Sequence, residues 1–139
     1  MKALFSAMKR SGSSGFTLVE IMIVVAIVAL LAALALPSMI RARKRTQAAS
    51  VLTDLRLIQS AVDQYALEYN LTSGTTVSTD SWRQYIKVGH RLYHSTTDVL
   101  GNSHYDVAVD AVPSVPVDSW DSLSDVVTVE FWTPFPQGS

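Results

Sequence analysis

The chain has 139 residues, a formal net charge of −1 and no cysteine, which excludes disulfide stapling and leaves no overall charge on which to recognise nucleic acid or an acidic partner. The length suits one domain, yet the apolar residues are concentrated in one early block, so whatever follows must build a small core from sparse apolar positions. Charge is equally uneven: Lys2, Lys9 and Arg10 precede the block, Arg41, Arg43, Lys44 and Arg45 follow it, and beyond Arg91 there is no Lys or Arg at all.

The 21 residues from Phe16 to Leu36 carry one ionisable side chain, Glu20. As a helix they reach roughly 31 Å, the thickness of a bilayer's hydrocarbon core. A secretory signal peptide is one reading, with Lys9 and Arg10 as the basic region and Ala33-Leu34-Ala35 as the cleavage site. Against it, the run exceeds the usual apolar region of about 7–15 residues, and a cleavable signal gains nothing from an internal carboxylate. A plain single-pass anchor is another reading. Basic residues flank the span on both sides, so counting them leaves its orientation open. An anchor also leaves Glu20 unexplained, because a carboxylate deep in a membrane costs on the order of 3 kcal/mol.

The third reading starts from Gly15-Phe16-Thr17-Leu18-Val19-Glu20, preceded by Lys9-Arg10 and followed by the unbroken apolar run. This segment resembles the type IV pilins and type II secretion pseudopilins. The resemblance covers Lys9 to about Leu36, with Pro37 where many members carry a helix-bending proline. It implies cleavage between Gly15 and Phe16 by a prepilin peptidase, methylation of the new Phe16 amine, a cytoplasmic leader and an exported C-terminus. It also implies partners: other pilin-like subunits in a homo- or hetero-polymer, an inner-membrane assembly platform, and membrane lipid.

The residue chemistry agrees with this. Glycine at position 15 lets a peptidase cleft approach the backbone with the least steric demand. A freed amine at Phe16 is cationic near neutral pH, and Glu20, four residues on, lies on the same helical face. Either charge alone in an apolar bundle costs several kcal/mol, so a register that pairs them is preferred, within one chain or between neighbours. Ala26, Ala29, Ala32, Ala33 and Ala35 offer close helix approach, although alanine is also simply a good helix former.

Pro37 is expected to bend or loosen the helix by removing one hydrogen bond. Beyond it Ala48, Val51, Leu52, Leu55, Ile58, Val62, Tyr65, Ala66 and Tyr69 recur at three- and four-residue intervals, so an amphipathic helix should continue to about Asn70. The basic cluster Arg41–Arg45 fits lipid phosphates or acidic neighbours better than DNA, since a phosphate-binding face should be broader. No nucleic-acid partner is expected.

Residues 72–81, rich in Thr, Ser and Gly, read as a loop. Trp82, Tyr85 and Ile86 suggest a short helix capped by Asp80 or Ser81. Gly101-Asn102 reads as a turn, Tyr105–Val109 and Val126–Trp132 as strands, and 133–139 as an irregular tail. Asp98-Val99-Leu100-Gly101-Asn102, with Tyr105, is similar to a turn pattern of pseudopilins, though it lacks the proline and is one residue longer. Asp118, Asp121 and Asp125 match no calcium loop, and His90 and His94 lack a third ligand for zinc. Asn70-Leu71-Thr72 fits a glycosylation acceptor too short to carry weight. No catalytic motif or cofactor site stands out, so a non-enzymatic role is expected.

The expected fold is α+β: a long N-terminal helix, transmembrane in its first half and amphipathic in its second, packed on a small antiparallel sheet. Its expected parts are a leader at 1–15, a transmembrane and polymerisation helix at 16–37, its amphipathic continuation at 38–70, and a periplasmic head at 71–139. The competing functions are a soluble protein secreted by a conventional signal peptide and a DNA-uptake pilin.

Overall fold

A computed structural model describes residues 15–138. Lys2, Lys9 and Arg10 and the rest of the expected leader before Gly15 lie outside the described residues. The architecture is α+β, and its dominant element is α1, Leu18–Glu68, a helix of 51 residues with Pro37 inside it. The chain divides into two compact units, residues 1–37 and 38–139.

In the first unit every described residue is exposed. The side chains from Leu18 to Leu36 are apolar apart from Glu20, and α1 is long and apolar enough here to cross a membrane. Such a helix satisfies its backbone hydrogen bonds internally, which is what a lipid environment demands.

In the second unit α1 turns one stripe inward. Ala48, Val51, Leu55, Ile58, Ala61, Val62 and Ala66 are buried, the three- and four-residue spacing of one helical face. They divide between two clusters. Ala48, Val51 and Leu55 pack with Val115, Leu123, Trp132 and Phe135. Ile58, Ala61, Val62 and Ala66 pack with Val77, Trp82, Ile86, Leu92, Val107 and Val109. The helix ends at Glu68, just before the expected Asn70, and its closure has a clear cause: Asn70 takes a positive φ of 50°, and the Leu71 N–H donates to the Ala66 carbonyl at 2.9 Å. This is the left-handed C-terminal motif in which asparagine is a common substitute for glycine.

The sheet is antiparallel and small. β1, Thr76–Val77, pairs with β2, Val107–Ala108, in the register Thr76 to Ala108 and Val77 to Val107. β1 falls inside the segment read as loop, and β2 is shorter than the strand expected over Tyr105–Val109. The short helix expected near Trp82 exists as α2, Thr79–Arg83, but starts before the expected caps, after Ser78. Among the described residues two further helices follow, α3 at Arg91–His94 and α4 at Val117–Leu123, with a 3-10 turn at Val129–Trp132.

That last turn corrects the strand expected over Val126–Trp132. Its β-favouring composition is overridden by packing, because Trp132 is buried against α1 and stacks on Trp120 with ring centres 5.8 Å apart. The tail is irregular but tied down. The Val115 N–H donates to the Pro136 carbonyl and the Gly138 N–H to the Val115 carbonyl, each at 2.8 Å. A side chain at Gly138 would crowd that carbonyl at 3.1 Å.

Candidate functional site

Gly15, Phe16 and Thr17 precede the first turn of α1 without regular structure, and Phe16 is 83% exposed. The Gly15–Phe16 bond thus lies in an exposed stretch outside regular structure. Glu20 sits in the first helical turn. Its carboxylate accepts from the Thr17 N–H at 2.8 Å and from the Thr17 hydroxyl at 2.9 Å, while the Glu20 N–H donates to the Thr17 hydroxyl oxygen at 3.2 Å. Thr17 and Glu20 thus form a reciprocal cap that satisfies donors otherwise orphaned at a helix start. Sequence reasoning missed this role for Thr17. The signal was present as Thr-x-x-Glu ahead of an apolar run.

The cap supplies hydrogen bonds but no counter-charge. No cationic side chain is paired with Glu20 among the described residues. Pro37 lies within α1.

The other residues singled out by sequence are dispersed. Lys44 binds both oxygens of Asp125 at 2.8 Å, and that hydrogen bond holds the Asp125 carboxyl below its ordinary value. Asp121 accepts from Gln137 at 3.4 Å, and Asp118 is exposed. Among the described residues no group of three or more His, Asp or Glu side chains converges as a metal site. His90 caps α3 through Nδ1, while His94 packs edge-on against Tyr93. Asn70 closes α1 and is exposed.

Two polar centres lie inside the head, one that sequence did not signal and one at the turn expected around Gly101-Asn102. Asp54, on the buried face of α1 and 2% exposed, pairs with Arg91, which also donates to the Thr97 carbonyl. Burial raises the Asp54 carboxyl above its ordinary value even against the pull of Arg91. The second centre is the turn at Asp98. Its buried carboxylate accepts from the Leu100 N–H at 2.8 Å, the Asn102 N–H at 2.9 Å and the Ser119 hydroxyl. Gly101 adopts a φ of 93° there, a conformation that favours glycine. Both centres fasten loops to the scaffold.

Residues 10–36 match the family described as the prokaryotic N-terminal methylation motif. Across 61 residues the chain is 36% identical to type II secretion system core protein G of Klebsiella michiganensis, covering 44% of this chain and 43% of that protein. It is 39% identical across 61 residues to the protein of the same name from Pseudomonas aeruginosa, covering 44% and 43%. It is 38% identical across 79 residues to a fimbrial protein of Neisseria meningitidis, covering 52% and 46%. The chain thus spans less than half the length of the curated relatives it matches. No solved structure matches it. Through residues 10–36 the chain carries the N-terminal methylation motif, and over part of its length it is similar to type II secretion core proteins and to a fimbrial protein.

Proposed function

We propose that the chain is a structural subunit of a pilin-like filament, either a type II secretion pseudopilin or a minor type IV pilin. It is made with a leader at 1–15 that faces the cytoplasm and is held in the inner membrane by residues 16–37. Residues 38–70 continue the helix, and 71–139 form a periplasmic head. Prepilin peptidase cuts between Gly15 and Phe16 and methylates the Phe16 amine. An assembly platform then draws the helix out of the lipid into a bundle of like helices, where Pro37 lets it bend to fit its neighbours. The role is mechanical rather than catalytic.

One observation carries this reading. A single carboxylate, Glu20, stands in the first turn of α1, in an otherwise apolar and exposed segment that runs from Leu18 to Leu36, just past an accessible Gly-Phe bond. Thr17 satisfies its hydrogen bonds, but only a cation neutralises its charge. Cleavage creates that cation one helical turn away. In a bundle that excludes water, a register leaving either charge unpaired is disfavoured by several kcal/mol, so the pair selects the step between subunits.

Glu20→Gln separates the stages. Glutamine keeps an oxygen for the Thr17 donors and loses the charge. The expected result is a chain that is still cut, seen by its mass in the membrane fraction, but forms no filaments under the electron microscope. Normal filaments from this variant would contradict the pairing.

A further inference from the structure

We propose that the heads join head to tail through one specific contact: the Val129-Glu130 turn of one copy seats in a groove on the next copy between α1 and the Tyr85–His90 loop. This rests on the filament reading and names the surface that reading leaves open.

The groove encloses about 500 Å³. Leu57 and Ala61 of α1 and Ile86 give it an apolar floor, and Lys87 and His90 stand at its edge. Lys87 is exposed and enters no ion pair among the described residues. The Val129-Glu130 turn has the complementary character. Val129, the first residue of the 3-10 turn, is 70% exposed, and the exposed Glu130 beside it enters no ion pair among the described residues. Trp132, buried and stacked on Trp120, holds the turn rigid, so its docking orders little.

The choice of a second copy as occupant follows from the charge distribution. Every Lys and Arg lies at or before position 91, whereas Asp98, Asp106, Asp110, Asp118, Asp121, Asp125 and Glu130 lie after it. The chain is therefore complementary to itself through two different patches rather than one. A contact of that kind is heterologous and leads to open chains, where a self-matching patch would stop at a dimer. The patches also sit at different heights on α1. Trp132 packs at the level of Ala48, Val51 and Leu55, and the groove lies at Leu57–Gln64. A shift of about nine residues along α1, roughly 14 Å, brings the turn of one copy level with the groove of the next.

The absence of cysteine makes the contact directly testable in the full chain in its membrane. Ser60→Cys in the groove and Val129→Cys on the turn both replace exposed side chains. The double variant, oxidised during assembly, is expected to give a ladder of disulfide-linked dimers, trimers and higher species. Each single variant should give none. Within the double-cysteine chain, Lys87→Glu or Glu130→Lys alone should reduce the ladder about tenfold, and both together should restore it. Filaments forming normally with no ladder above the single-cysteine controls would overturn the contact while leaving the filament reading intact. Failure of the unmodified chain to assemble would overturn both.

Discussion

His104 is the residue whose surroundings make the sharpest demand. It is 5% exposed, neither ring nitrogen has a hydrogen-bond partner among the described residues, and burial lowers its pKa from 6.5 to about 4 against the opposing pull of Asp98. The ring is therefore neutral in the folded head at ordinary pH. Above pH 6.5 neither state binds the proton and His104 has no effect on stability. Between pH 6.5 and 4 the unfolded chain takes a proton that the folded chain refuses, so folding weakens by up to about 3 kcal/mol. Urea unfolding in detergent, followed by the fluorescence of the three tryptophans, all in the head, should show that loss. His104→Leu should flatten it, and an equal acid sensitivity in the variant would contradict the assignment. Asp54 makes the opposite demand, since its removal strands a cation. Asp54→Ala should destabilise the head by about 2–3 kcal/mol, less than a fully buried pair because Arg91 is partly exposed. Asp54→Leu combined with Arg91→Leu should recover most of that loss in the same measurement. Neither residue announces itself in sequence. A lone His or Asp looks the same whether exposed or buried, and only the fold decides. Glu20 was legible because it interrupts a run in which any charge is conspicuous.

At the scale of elements, α1 carries the head. Leu55 is fully buried at its contact with the lower cluster, and Leu55→Ala should cost about 3 kcal/mol through lost burial and a residual cavity. Leu67→Ala, at a side chain 81% exposed, should leave the unfolding midpoint unchanged. The helix was readable over almost its whole length because its period persists for many turns, and Asn70 marks its end. The sheet was readable only as a class. Strands of two residues offer no alternation to detect, and β1 lies in a Thr- and Ser-rich stretch that composition assigns to a loop. The Val126–Trp132 segment misleads for the reverse reason: valines favour a strand locally, while burial of Trp132 against α1 favours a turn. The Thr17 cap was legible in principle, but the conspicuous charge of Glu20 drew the reading toward long-range pairing and away from its neighbour three residues back.

At the scale of the whole molecule, two separate chemistries divide the work of assembly in this account. The apolar segment sets which subunits associate and at what step, through Glu20 and the amine at Phe16. The head adds a directional contact from the imbalance between its cationic and acidic parts. The first requires that the chain be cut, because a Phe16 nitrogen tied up in a peptide bond to Gly15 carries no charge and gives Glu20 no partner. The most direct test is the mass of the N-terminal peptide from chain recovered in assembled form. The account expects an N-methylated phenylalanine corresponding to Phe16 as the first residue. A chain that retains the fifteen residues before it, or one that begins at Leu36, would contradict it.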